Sequence, residues 1–316
     1  MDWQLFFLHA LESIRNPVLD AFFGIITYLG SETGLIVVAL VCFWCLDKKN
    51  AYYLFSVGLL GTVFNQFLKI TCRIPRPWML DPTLNPVASA LPDATGYSFP
   101  SGHTQSSVGL FGCMVRMWKK TWVRVLCLLP VLLVPFSRMY LGVHTPMDVL
   151  VSFALAGAMV LAFYPILDRA FGDHRRMAIL LGSLVGAAAL YLVYVLVFPF
   201  PADIDPAHLD SALKNGYTLL GTLLGLCLVY FLDERYIHSK TGAPLPAQII
   251  KLLGGGALAF ALKAGLKSPL TALLGAGVES LPRYFLLVLF AGAVWPLTFP
   301  YLCRLFEKKA EKNAEK

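Results

Sequence analysis

Residues 148–167 read DVLVSFALAGAMVLAFYPIL, and no charged side chain follows Asp148 before residue 168. A helix of this length rises about 30 Å, which is the thickness of a bilayer's hydrocarbon core. Apolar runs of the same kind occur at 31–46, 51–70, 103–118, 122–136, 177–199, 213–232, 247–267 and 283–303. A shorter one, 17–30, is bounded by Pro17 and Gly30 and is expected to be re-entrant or to lie against the bundle. No period-two alternation of useful length appears, so a β-barrel is excluded. The whole chain agrees with this reading. Of its 316 residues 57% are hydrophobic and 14% charged, with a mean hydropathy of +0.67, whereas a soluble domain carries about a quarter charged residues. So apolar a composition also excludes disorder. The expected fold is all-α, a polytopic transmembrane helical bundle of nine spans.

The net charge of +7 does not indicate nucleic acid, because the basic residues stand in short clusters between apolar runs. Lys48/Lys49, Lys119/Lys120/Arg124, Arg169/Arg175/Arg176, Arg235/Lys240 and the tail from Arg304 to Lys316 fall in one set of loops. The 71–100 loop, the 137–147 turn, the acidic 200–212 loop and 268–282 form the other. The positive-inside rule places the first set, with the C-terminus, in the cytoplasm and the second outside. Residues 1–16, with Asp2, Glu12 and Arg15, read as an amphipathic interfacial helix without a cleavable signal. Seven cysteines, mostly in or beside apolar runs, show no disulfide framework.

Three outward segments are unusually polar. The first, KITCRIPRP at 69–77, carries Lys69 and Arg76 two helical turns apart, although Pro75 and Pro77 must end the helix there. Taken alone, the segment reads first as a snorkelling lysine and a capped helix C-terminus. The second, YSFPSGHT at 97–104, opens the next run. Ser101 is a natural N-cap, Gly102 lets a ligand approach the backbone, and free N–H groups at a helix start favour an anion. Capping alone for Ser101, and an interfacial side chain for His103, are the plain alternatives. The third, SRMYLGVHTPMD at 137–148, gives Thr145 and Asp148 capping-box spacing with Pro146 at the first helical position. Helix initiation explains Asp148 but leaves Arg138 and His144 over. A carboxylate four residues after a histidine can also hold its ring and support a nucleophile. Ionisable groups gathered at membrane depth point to function.

Lys-x6-Arg-Pro (Lys69 to Pro77), Pro-Ser-Gly-His (Pro100 to His103) and Ser-Arg-x5-His-x3-Asp (Ser137 to Asp148) together resemble the tripartite signature of the type 2 phosphatidic acid phosphatase superfamily, which includes glucose-6-phosphatase and the vanadium haloperoxidases. The resemblance covers residues 17–170 and implies a six-helix membrane phosphatase core there, with additional C-terminal transmembrane helices and a basic tail over 171–316. It implies phosphoryl transfer without metal or other cofactor, through a phosphohistidine. Carried over, His144 is the nucleophile, Asp148 its orienting partner and His103 the general acid. Lys69, Arg76, Ser101, the Gly102 amide and Arg138 hold the phosphoryl oxygens. Arg73 is extra to the motif and offers a contact to a second phosphate or a lipid headgroup.

A site at the outer surface favours a membrane lipid phosphate as substrate, and the bilayer as its only other obligatory partner. Undecaprenyl diphosphate is the first expectation, in a bacterial plasma membrane; the absence of any Asn-x-Ser/Thr sequon fits that setting. The alternatives are a lipid phosphotransferase using the same phosphoenzyme, a haloperoxidase, and a lipid transporter with a vestigial site. Gly182-x3-Gly186 and Gly221-x3-Gly225 allow close helix packing, or a homodimer interface.

Overall fold

A computed structural model of the chain describes residues 2–314, and all regular structure among them is helical. The helices are α1 (Asp2–Ser13), α2 (Pro17–Tyr28), α3 (Glu32–Val41, continued by a π-helical turn Cys42–Leu46), α4 (Lys48–Cys72), the short α5 (Pro77–Leu80), α6 (Gly102–Met117), α7 (Thr121–Tyr140), α8 (Pro146–Ala170), α9 (His174–Val197), α10 (Pro206–Leu232), α11 (Leu245–Leu274), α12 (Ser280–Leu289) and α13 (Phe299–Ala314). Of the basic tail, residues 315 and 316 lie outside the described residues.

Seven helical stretches are individually long and apolar enough to cross a bilayer, and α2 with α3 passes the same test as a pair bent by 47° at residues 29–31, the geometry of a broken span or a re-entrant loop. The polytopic all-α bundle expected from the apolar runs is therefore present, with two points of detail. The 17–30 helix joins the next run through that bend, as the expected re-entrant segment or a broken span would. The run at 103–118 forms α6, whose 16 residues fall short of the roughly 20 that a spanning helix needs. Its polar residues Thr104, Gln105, Ser106 and Ser107 are buried, which suits a helix enclosed by protein rather than lipid.

The chain forms two compact units. The first comprises residues 1–37, 53–168 and 200–212. Here α6 and α2 both pack on α7. Phe23, Ala90, Ala94, Tyr140, Leu141 and Val143 form a buried apolar cluster, with Leu19, Trp78 and Phe136 against it. Gly30, in the α2–α3 bend, is required by close approach: a Cβ there would stand 2.7 Å from the His103 carbonyl oxygen and 2.6 Å from a Val134 methyl. Side chains of α1, and Arg15 just after it, hold the connections that follow α5 and α7. His9 bridges Glu12 (3.1 Å) and Asp81 (2.9 Å). Glu12 accepts from the Asn85 amide, Arg15 donates to the Tyr140 carbonyl, and Gln4 accepts from the Met147 amide.

The second unit comprises 38–52, 169–199 and 213–316. Gly221 and Gly225 lie against α12, where a Cβ would meet the Leu281 and Phe285 carbonyls, so this glycine pair serves packing within the unit. No atom lies within 4 Å of a Cβ built on Gly182 or Gly186. Two indoles tie its helices together, Trp44 donating to the Ala291 carbonyl and Trp295 to that of Lys251.

Candidate active site

The site begins where α8 starts. Thr145 and Asp148 form a reciprocal capping box: the Thr145 amide donates to Asp148 Oδ2 at 2.7 Å and the Asp148 amide to Thr145 Oγ1 at 3.4 Å. The same Oδ2 stands 3.4 Å from His144 Nδ1 and accepts the Ser98 hydroxyl at 2.5 Å. Helix initiation and a carboxylate partner for His144 are thus one arrangement, not rival accounts. All four residues are buried.

On the other side of the ring, Arg76 Nη1 lies 2.9 Å from His144 Nε2. A guanidinium has no acceptor, so Nε2 must accept, and the imidazole is neutral with its proton on Nδ1. Burial and the charges of Arg76, Arg138, Lys69 and His103 all push the His144 pKa well below the ordinary histidine value. Every face of Arg76 is occupied. Its Nε, Nη2 and Nη1 also donate to the carbonyls of Gly96, Thr95 and Val143.

The other cations are placed differently. Lys69, in the last turn of α4, donates to the Tyr97 carbonyl at 2.8 Å. Arg138, in the last turn of α7, is 1% exposed. It gives Nη1 to Thr27 of α2 at 2.8 Å, while its Nε and Nη2 have no hydrogen-bond partner among the described residues. Those two buried donors are available to an anion, and leaving them unmet is costly.

Ser101 caps α6 by accepting from the Thr104 amide and hydroxyl, which leaves its own O–H to donate. Its amide donates to the Asp148 carbonyl at 3.1 Å, joining the second motif to the third. Gly102 and His103 are the first residues of α6, where helix geometry leaves N–H groups without intrahelical acceptors. His103 is half-buried. Arg73 follows α4 with φ of 50°, a left-handed conformation uncommon for a non-glycine residue. Its charge acts on Tyr97, whose phenol is raised chiefly by burial.

Hydrogen bonds thus join Arg76, His144, Asp148 and Ser101, the charges of Lys69, Arg138 and His103 act on the His144 ring, and Arg73 lies on the segment that carries Arg76. Sequence reasoning passed over Ser98 and Thr27, and the carbonyls of residues 95–97 and 143 that hold the cations. Ser98 lies within the polar stretch already singled out, and its buried position there was the available signal. It also missed His208, whose ring meets that of Tyr97 edge-on at 4.3 Å between centroids. The acidic 200–212 loop thus packs on the segment that carries Ser101.

The comparisons with known proteins agree with this geometry. The "PAP2 superfamily" pattern matches residues 49–171, and "PAP2 superfamily phosphatase, transmembrane extension" matches 217–308. The chain is 31% identical over 172 residues to an undecaprenyl-diphosphatase of Bacillus subtilis, covering 53% of this chain and 85% of that protein. It is 26% identical over 257 residues to a probable sphingosine-1-phosphate phosphatase of Dictyostelium discoideum, covering 77% of this chain and 60% of the relative. With a lipid phosphate phosphatase delta of Arabidopsis thaliana it shares 23% identity over 234 residues, 70% of this chain and 55% of that one. No solved structure matches. Three intact motifs converge on one buried ring, and a relative is matched over most of its length: the chain belongs to the PAP2 superfamily, and it carries that superfamily's transmembrane extension.

Proposed function

We propose that this multi-pass membrane protein hydrolyses a lipid phosphate or diphosphate at the outer face of the membrane through a phosphohistidine on His144. The observation that carries the reading is the His144 ring, with Arg76 on Nε2 and Asp148 and Ser98 beside Nδ1. It is a neutral imidazole whose lone pair sits among cations, the state a nitrogen nucleophile needs. When a phosphoryl group enters, its oxygens take over donors from Arg138, Lys69, Ser101, the Gly102 amide and Arg76, and Arg76 releases Nε2. The Nε2 lone pair attacks phosphorus as the bond to the leaving oxygen breaks, and His103 gives that oxygen its proton. Asp148 stabilises the imidazolium. His103, now neutral, takes a proton from water, whose oxygen attacks phosphorus. The P–N bond breaks, the electrons return to Nε2 and inorganic phosphate leaves. Positioning and charge stabilisation supply most of such catalysis, and three cations with helix-terminal amides provide both here.

Undecaprenyl diphosphate is the proposed substrate, supported by the match to most of the Bacillus subtilis relative. The second reading is a sphingoid-base phosphate, favoured by the Dictyostelium relative, whose alignment runs over 77% of this chain. The basic loop clusters support an orientation with the C-terminus in the cytoplasm. The test is phosphate release by the detergent-purified protein, with EDTA present, from undecaprenyl diphosphate, sphingosine phosphate, phosphatidic acid and phosphatidylglycerol phosphate. We expect a clear preference, and a fall of at least about 10⁴-fold in His144→Ala with its melting temperature retained. Turnover by that folded variant would sink the mechanism.

A further inference from the structure

Ser98 belongs to none of the three motifs. It is fully buried, and its main-chain N–H donates to the Ile74 carbonyl at 2.8 Å, fixing it to the segment that carries Arg76. Its hydroxyl reaches Asp148 Oδ2 at 2.5 Å, closer than the 3.4 Å that separates that oxygen from His144 Nδ1, and Ser98 Oγ stands 3.5 Å from the same nitrogen. A serine has one O–H to give. Having given it to the carboxylate, Ser98 keeps lone pairs facing Nδ1–H.

We infer that Ser98 is a positioning residue for the nucleophile, bridging Asp148 Oδ2 and His144 Nδ1 so that the carboxylate stays in place and Nε2 stays the free nitrogen. The inference rests on the reading of His144 as nucleophile. A capping box alone does not need Ser98, because the Thr145 amide and Asp148 already satisfy it. The bridge becomes more important as the reaction proceeds. The imidazole gains positive charge on attack, and its Nδ1–H then lies between a carboxylate and a hydroxyl, both polarised to receive it. The charged groups around the ring are Lys69 from α4, Arg76 from the 73–76 segment, His103 from α6, Arg138 from α7 and Asp148 from α8. Four of these five oppose the imidazolium when charged, which leaves Asp148 and its support to stabilise it.

The test is the pH dependence of kcat and KM for Ser98→Ala, Ser98→Thr and Ser98→Val, with Ser107→Ala and His144→Ala beside them on one lipid phosphate. Ser107 is a buried α6 serine that donates to the Pro130 carbonyl, so it controls for the loss of any buried hydroxyl. For Ser98→Ala we expect kcat to fall about 10- to 100-fold, the rate equivalent of one hydrogen bond to a charged group, with KM within about twofold. The acid limb should move to lower pH, because an imidazolium that has lost an acceptor at Nδ1 gives up its proton more readily. Ser98→Thr keeps the hydroxyl and should recover most of kcat. Ser98→Val has the same shape without it and should not, and this pair decides the matter if the alanine variant does not fold. Equal rates in Thr and Val, or an alanine profile scaled down with its limb unmoved, would overturn the bridge. If His144→Ala is inactive while Ser98→Ala matches wild type, only the bridge falls. If His144→Ala turns over, the nucleophile itself is wrongly assigned.

Discussion

Both units bury charge, and they do so in opposite ways. In the second, opposite charges stand in pairs, although Arg283 Nε and Glu279 Oε2 keep no hydrogen-bond partner among the described residues. Lys48 meets Asp233 at 2.5 Å, whose other oxygen takes the Ser239 amide and hydroxyl, and Arg283 stands 3.5 Å from Glu279. Lys251, fully buried, is solvated by the carbonyls of Lys240 and Thr241 and lies 4.3 Å from the centre of the Phe299 ring. In the first unit Lys69, Arg76 and Arg138 gather about the His144 ring with Asp148 beside it, and Arg138 retains two buried donors unmet among the described residues. Neutral pairs of the first kind hold helices together at little net gain. Three cations about one ring, with two guanidinium donors of Arg138 unmet, are a cost that an anion would offset under the proposed function.

The largest effect expected from this contrast is at Arg138. Arg138→Met should lower kcat/KM about 10²- to 10³-fold, as loss of a transition-state donor does. Lys251→Met should leave turnover within about twofold and lower the melting temperature by a few degrees, since two carbonyls lose their donor. Parallel steady-state kinetics and melts of the two variants would break the comparison if the losses were alike.

A smaller effect concerns proton binding. The His144 pKa is lowered, so its free base persists as pH falls through the ordinary value of about 6.5 and is lost only well below it. The acid limb of kcat/KM should accordingly lie below 6.5. Running a monoester and a diphosphate separates ionisation of the enzyme from that of substrate. A shared limb at or above 6.5 would contradict a ring surrounded by cations.

The smallest effect tests whether opposite-sign pairs in the first unit behave like those in the second. Hydrogen bonding to Asp81 raises the His9 pKa, so its contribution to stability is complete below 6.5 and disappears as pH rises through the raised value. His9→Ala should melt no more than about 2 °C below wild type at acid pH, with the gap closing in alkali. Its turnover should be unchanged. A gap that widened with pH would reverse the assignment.

Much of this was legible before any coordinates. The apolar runs are set by the bilayer's thickness, a one-dimensional constraint that a sequence displays directly, and each of them forms helix. The motif residues Lys69, Arg76, Ser101, Arg138, His144 and Asp148 meet because they stand at helix ends on one side of the bundle. What escaped was pairing across sequence distance. Thr27 finds Arg138, 111 residues away, and main-chain carbonyls of 95–97, which no side-chain pattern encodes, hold Arg76 and Lys69. The run at 103–118 matches α6 to within one residue at each end; what escaped was the burial of its polar side chains Thr104 to Ser107.

The placement of residues 200–212 in the first unit has a consequence for biosynthesis. These residues leave the ribosome only after α9, long after Asp148, yet His208 supplies the ring against Tyr97 beside the second motif. Chains grow from the N-terminus and domains tend to fold in that order, but here the earlier part must wait. A nascent chain that had inserted only through α8 would hold every motif residue and still lack the His208 ring that meets Tyr97.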